Sequence, residues 1–301
     1  GVPGIFILTL VLASKTDWQA LFAGIVGVGE GYRFLPKGIS IASFLAAFAF
    51  AGAGGNLNLA QSFYIKEKGY GMGKFAGRIT SILTGKVEDI KLEGAKFEMN
   101  SQNLIRFKKW WKLINLEHLL VFWFIGAVTI CLLGLLAFST AFGKTTPAAG
   151  IDFVLYEASA IAQKTFPFFG TLFLFVAGIL LFSTQMTVYD ATSRIMSENL
   201  LILNKEKWGS QTLPKIYYSF LWAQIVFGVV IFLTGLREPF FLLILSALIN
   251  AGAMFVHIGL TLVLNLTKLE KPIRPSFARI TAMVFSFAFF GYLTIRTILK
   301  I

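Results

Sequence analysis

Long apolar stretches separated by short polar loops dominate the pattern of this chain. Six of them contain about 20–28 residues each, and a helix rising 1.5 Å per residue needs about 20 residues to cross the hydrocarbon core of a bilayer. The six stretches are Ile39–Ile65, Leu116–Phe142, Phe166–Tyr189, Ile216–Gly235, Pro239–Leu266 and Phe277–Leu299. The pattern therefore predicts an all-α polytopic membrane protein, with residues 1–301 in one transmembrane domain.

The apolar run at the start of the chain is different. Val2–Ala13 is too short to span a bilayer, and no basic region of the kind that opens a signal peptide precedes it. The first residue is Gly1 and not Met. We therefore expect a truncated helix here, in a fragment whose N-terminal helices are missing.

Composition and charge agree with a lipid environment. Hydrophobic residues make up 56% of the chain and charged residues 14%, against about 25% charged in soluble domains. Most of the 27 Lys and Arg residues fall on one side if the Ile39 helix enters from outside, and the richest loop is residues 66–113. Basic loops mark the cytoplasmic side. We expect a multi-pass protein of the cytoplasmic membrane, monomeric, with the lipid bilayer and no nucleic acid as its partner.

The end of the long basic loop has helical periodicity. From Asn103 to Asn115, Leu104, Phe107 and Trp110 share one face, and basic residues occupy the other. This pattern predicts an amphipathic helix lying in the membrane interface. A plain basic connector is the alternative.

The first full stretch is interrupted by polar and flexible residues. Gly52, Gly54 and Gly55 fall within four positions, and Asn56 and Asn58 follow directly. Each glycine disfavours helix by about 1 kcal/mol relative to alanine, and groups freed by unwinding need partners in lipid. Broken helices of this kind form ion and substrate sites in many transporters. Close packing of helices through small residues is the alternative.

Two further polar patches lie in apolar segments. Gln185 and Asp190 close the segment that begins at Phe166, where an acidic group can attract cations or relay protons. An ion pair of Asp190 with Arg194 at i+4 is the simpler explanation. Asn250 and His257 lie two turns apart on one face; His257 is a candidate proton relay or, more simply, a hydrogen-bonded packing residue.

Several short motifs occur in the order that they have in a known transporter family. They are Asp17-Trp18 with Gly24, the interrupted helix followed by Asn56–Leu59 and Ser62, the turn Lys66–Gly69, and the polar segment Ser183–Met196. Together they resemble the Nramp divalent-metal transporters from the end of the fifth helix onward. The resemblance implies part of a leucine-transporter-like fold with two inverted repeats. It also implies import of a divalent metal (Mn, Fe or Mg class), with protons as the candidate coupled ion.

The resemblance also implies where a metal would bind. In the family, the first helix supplies Asp and Asn, and the sixth supplies a carbonyl and a Met-Pro-His motif before an Asn. Here the carbonyl falls near Phe50, the three motif positions are Ala53, Gly54 and Gly55, and the amide ligand is Asn56. The expected pathway residues are Phe50, Ala51, Gly52, Ala53, Gly54, Gly55, Asn56, Asn58, Gln185, Asp190 and Asn250.

The departure from the family motif has a chemical consequence. Without a methionine thioether the site contains oxygen ligands, which suit Mg²⁺ or Mn²⁺ better than softer metals. Asn250 is the candidate to replace a family glutamine near Ser246–Ala247. The metal is the transported substrate, and no cofactor is expected.

Two other functional classes stay open. The glycine-rich break could bind the carboxylate of a small organic solute, such as an amino acid, through backbone amides. The chain could also keep the fold without transporting anything. An enzyme is not expected, because the sequence has no Ser/His/Asp cluster and one cysteine, Cys131, within an apolar run.

Overall fold

A computed structural model describes residues 2–28, 40–51, 54–55, 57–75, 96–142, 151–204, 206–235 and 239–299. These residues are almost entirely helical. The helices are α1 (Val2–Leu12), α2 (Lys15–Ile25), α3 (Ile41–Phe50), α4 (Leu57–Glu67), α5 (Ser101–Glu117), α6 (Ile125–Ala141), α7 (Ile151–Lys164), α8 (Pro167–Leu203), α9 (Leu213–Leu233), α10 (Pro239–Lys268) and α11 (Phe277–Leu299).

Five helical stretches are long and apolar enough to cross a membrane. They are Ser101–Ala141, Pro167–Leu203, Ser210–Leu233, Leu242–Lys268 and Phe277–Leu299. The predicted multi-pass helical architecture is confirmed at this level. The remaining predicted segment, Ile39–Ile65, is divided between α3 and α4, so neither half is long enough alone.

The helix that enters the second predicted segment is longer than expected. α5 covers the predicted amphipathic stretch and continues through a π-helical turn, His118–Phe124, into α6. The face with Leu104, Phe107 and Trp110 is the less exposed one. Its position in the interface stays a prediction, and residues 76–95 of the same loop lie outside the described residues.

The segment predicted to end at Tyr189 does not end there. α8 runs to Leu203, and Ser193 and Ser197 are fully buried in its second half. The prediction followed hydropathy, which falls once polar side chains begin. Both buried hydroxyls have partners: Ser193 accepts from Gln224 of α9, and Ser197 donates to the carbonyl of Arg194 in α8 itself.

Two packing groups position the break between α3 and α4. α3 packs on α10 and α11 through a core that includes Leu45, Ala49, Ala247 and Ala251. α4 packs instead on α8, where Ala60 meets Ala191 and Ile195. Alanine at these positions allows close approach of the helix backbones.

Candidate functional site

The predicted interruption of the first full segment is confirmed. α3 ends at Phe50, with Ala51 as its C-cap, and α4 begins at Leu57. Gly55 has a φ of +55°, which continuous α-helix does not allow, and the amide of Leu57 donates to the carbonyl of Gly54 at 3.2 Å. The side chain of Phe50 and residues Gly52, Ala53 and Asn56 lie outside the described residues.

α10 supports the break directly. A Cβ placed on Gly55 would lie 1.9 Å from Oδ1 of Asn250, so this asparagine occupies the space that a side chain would need. Nε2 of His257 lies 3.2 Å from the carbonyl oxygen of Gly55, and Nδ2 of Asn58 lies 3.5 Å from the same oxygen. Because a carbonyl only accepts, His257 carries its proton on Nε2 in this contact. The sequence prediction thus named the residues of α10 that meet the break.

Oxygen atoms dominate the chemistry at the break. The carbonyls of the last turn of α3 form the negative end of its dipole, and among the described residues the amide of Ala51 donates to that of Ala47. Asn250 adds an amide oxygen nearby, whereas Asn58 presents its amide nitrogen to the carbonyl oxygen of Gly55. Within the described residues, no group of three or more His, Cys, Asp or Glu side chains could hold a metal ion. A cation at the break would therefore meet carbonyl and amide oxygens.

Cavities lie on both sides of α4, and Asn58 lines each of them. A cavity of about 480 Å³ separates α4 from α10 and α11, with a second cavity of about 430 Å³ between α4, α8 and the π-helical turn. The polar residues of the first are Asn58, Ser62, His257, Thr261 and Ser286. Those of the second are Asn58, Gln61, Tyr64, Lys68, Tyr70, Glu117, His118 and Thr187.

Polar contacts tie α4 to the π-helical turn across the second cavity. Nε2 of Gln61 lies 2.7 Å from Nδ1 of His118, and the ammonium of Lys68 donates to Glu117. The hydrogen bond to Glu117 raises the pKa of Lys68 above its ordinary value. Because π-helical turns recur at functional sites, this contact makes the turn part of the candidate site.

Asp190 belongs to a separate network near the end of α4. Nε of Arg194 donates to both carboxylate oxygens of Asp190, at 2.9 and 3.0 Å, and Tyr217 of α9 donates to Oδ1 at 2.6 Å. Nη1 of Arg194 also donates to Glu67 of α4 at 3.0 Å. The simpler explanation of Asp190, the ion pair at i+4, is confirmed.

This network changes the interpretation of the second polar patch. Asp190 shares the cation of Arg194 with Glu67, so the three side chains keep one net negative charge. Their contacts, with that of Tyr217, link α4, α8 and α9, so a structural role accounts for Asp190. Gln185 is exposed on α8, in contrast to the buried Gly54 and Gly55. Cation passage at Gln185 and proton relay by Asp190 or His257 stay predictions.

Two features escaped the sequence analysis. The first is Tyr217, whose partner Asp190 lies 27 positions away, a separation that no local pattern reveals. The second is α7, a helix of 14 residues in the loop before Phe166. It buries Glu157 to 6% exposure, with no hydrogen-bond partner for Oε1 among the described residues. Burial raises the pKa of Glu157 to about 7.

These observations define a multi-pass helical membrane protein in which a break separates two short helices, α3 and α4. Searches for a similar protein add nothing further: no family model, no curated protein and no solved structure matches the chain.

Proposed function

We propose that this protein is a secondary transporter of divalent metal cations in the cytoplasmic membrane. The observation that carries the proposal is the break between α3 and α4, where Asn250 and His257 meet Gly55. An unwound segment at membrane depth is tolerated where it is buried in protein or lines an aqueous cavity. Gly54 and Gly55 are buried in the protein, and Asn58 beside them lines two cavities, so the break can hold a transported polar substrate.

Charge favours a cation over an anion at this place. The last carbonyls of α3 direct partial negative charge towards the break, and half-helix C-termini with unwound carbonyls bind cations in transporters. The amide oxygen of Asn250 can add to these carbonyls in an oxygen shell without a thioether. Such a shell favours Mg²⁺ and Mn²⁺ over Cd²⁺.

The proposal is tested by uptake into proteoliposomes that contain the full-length protein. We expect Mn²⁺ or Mg²⁺ flux with poor Cd²⁺ flux, and reduced flux of all three ions in Asn250→Ala. The exposed Gln211→Ala, outside the predicted pathway, is a matched control for loss of a polar side chain and should reduce flux less. Ala53→Met, at the family's methionine position, should raise Cd²⁺ uptake relative to Mg²⁺.

Two results would contradict the proposal. Strong Cd²⁺ preference in the unmodified protein would refute the oxygen-ligand site. Amino-acid flux without metal flux would instead support the organic-solute transporter that the glycine-rich break also allows.

A further inference from the structure

We propose that a groove on α5 binds an anionic phospholipid of the cytoplasmic leaflet. The groove has a volume of about 500 Å³ and is lined by Arg106, Lys109, Trp110, Lys112, Leu113 and Leu116. Three cations therefore surround an apolar floor on one helix. This combination matches a lipid whose headgroup carries negative charge and whose chains are apolar.

Among the described residues, no carboxylate forms an ion pair with the cations of the groove, Arg106, Lys109 and Lys112. The nearest acidic residue along the helix, Glu117, is paired with Lys68 of α4. The positive charge on this face is thus available to an external anion, and near a membrane the abundant anion is a lipid phosphate.

The groove also lies at the correct depth for a headgroup. The helical stretch from Leu116 to Ala141 is about 39 Å long, against about 30 Å for the hydrocarbon core, so an inner boundary near Leu116 leaves enough helix to cross it. Lys112 and Lys109 lie about 6 and 10 Å beyond it along the axis. Long basic side chains can bring their charges to the phosphates from these positions.

An exposed apolar path continues from the groove into the bilayer. Leu113 and Leu116 are each 49% exposed, and Leu120, one turn beyond Leu116, is 50% exposed. An acyl chain can therefore follow the same helix face that the headgroup occupies. This path favours a lipid over free inorganic phosphate, which would use only the cations.

Fluorescence quenching of Trp110 tests the proposal. The full-length protein is placed in phosphatidylcholine vesicles that contain a minor fraction of phosphatidylglycerol with brominated chains. The Trp110→Phe variant isolates the signal of that residue. Each cation near the surface contributes about fivefold to the binding of an anionic lipid. Lys109 and Lys112 together therefore predict a preference for brominated phosphatidylglycerol of roughly twenty-five-fold over brominated phosphatidylcholine.

Charge variants separate a defined groove from general attraction. Replacing Arg106, Lys109 and Lys112 together with Gln should bring the preference to within about twofold of none. A matched triple variant, Lys207→Gln/Lys215→Gln/Lys271→Gln, removes exposed charges from other predicted cytoplasmic loops and should keep it. Circular dichroism checks that both variants remain folded.

Three results would overturn the proposal. In the first, Trp110→Phe leaves the preferential quenching unchanged, which places the lipid elsewhere. In the second, both triple variants lose the preference equally, which indicates attraction by overall charge. In the third, inorganic phosphate alone abolishes the quenching, which indicates a site for a free anion.

Discussion

Substitution of Gly55 by alanine tests whether the break depends on a glycine packed against Asn250. The φ of +55° costs an L-residue roughly 1–2 kcal/mol. The new Cβ would lie 1.9 Å from Oδ1 and 2.7 Å from Cγ of Asn250, so the asparagine must move, at an overpacking cost of about 1–3 kcal/mol. We expect Gly55→Ala to destabilise the protein by about 2–5 kcal/mol in total.

A second substitution separates the two contributions. In the double variant Gly55→Ala/Asn250→Ala the steric share should be recovered, about 1–3 kcal/mol, while the backbone share remains. The control is Gly178→Ala on α8, whose Cβ would meet no described atom within 4 Å. It should be neutral or stabilising by up to about 1 kcal/mol, because alanine favours helix.

The assay is reversible unfolding by SDS in mixed micelles, followed by circular dichroism, with cation flux measured on the same variants. The reasoning is refuted if Gly55→Ala unfolds at the same SDS fraction as the unmodified protein. It is also refuted if Asn250→Ala fails to restore any stability to Gly55→Ala, since the steric conflict would then lie elsewhere.

Three further predictions use the same preparation. Because the folded pKa of Glu157 is raised to about 7 from 4.5, its protonated form favours folding, and the free energy of unfolding should fall as pH rises from about 4.5 to 7. In Glu157→Gln this fall should be absent, and the variant should gain about 3 kcal/mol in that free energy relative to the unmodified protein between pH 4 and 8. An identical pH profile in the variant would contradict the burial of Glu157. Asp190→Asn and Tyr217→Phe should each lower the free energy of unfolding by about 1.5–3 kcal/mol, since each weakens a hydrogen bond to a charged group. The double variant should lose less than the sum of the two, and strict additivity would show that the two side chains act independently. A cysteine at Lys86, outside the described residues, should not react with a membrane-impermeant reagent applied to intact cells. Rapid labelling would contradict the predicted cytoplasmic location of this loop.

The sequence predicts the helices and the break well because lipid imposes simple rules. A spanning helix must be long and apolar, so hydropathy locates α9, α10 and α11 within a few residues, and it locates the C-terminal end of α6 but not the start of its helical stretch at Ser101. Three glycines followed by asparagines cannot continue an apolar helix without loss of hydrogen bonding. Local composition therefore predicts the break, and helical periodicity predicts that Asn250 and His257 share a face.

The remainder depends on contacts between distant parts of the chain. From sequence alone, Asp190 could belong to the ion pair or to the pathway. Its place in a structural network is visible only because Tyr217 donates to Asp190 and Arg194 donates to Glu67. Hydropathy cannot follow α8 beyond Tyr189, because polar residues on a buried helix face resemble those of a loop. α7 is too short to register as a spanning segment.

The two halves of the broken helix are fastened to different neighbours. α3 is packed on α10 and α11, whereas α4 is held by α8 through Lys66–Glu198 at 2.6 Å and Glu67–Arg194 at 3.0 Å. A rocking rotation of one assembly against the other would concentrate the change in backbone angles between Phe50 and Leu57. The carbonyl of Gly55, which His257 contacts at 3.2 Å, lies in this short connection, so such a rotation would change that hydrogen bond directly.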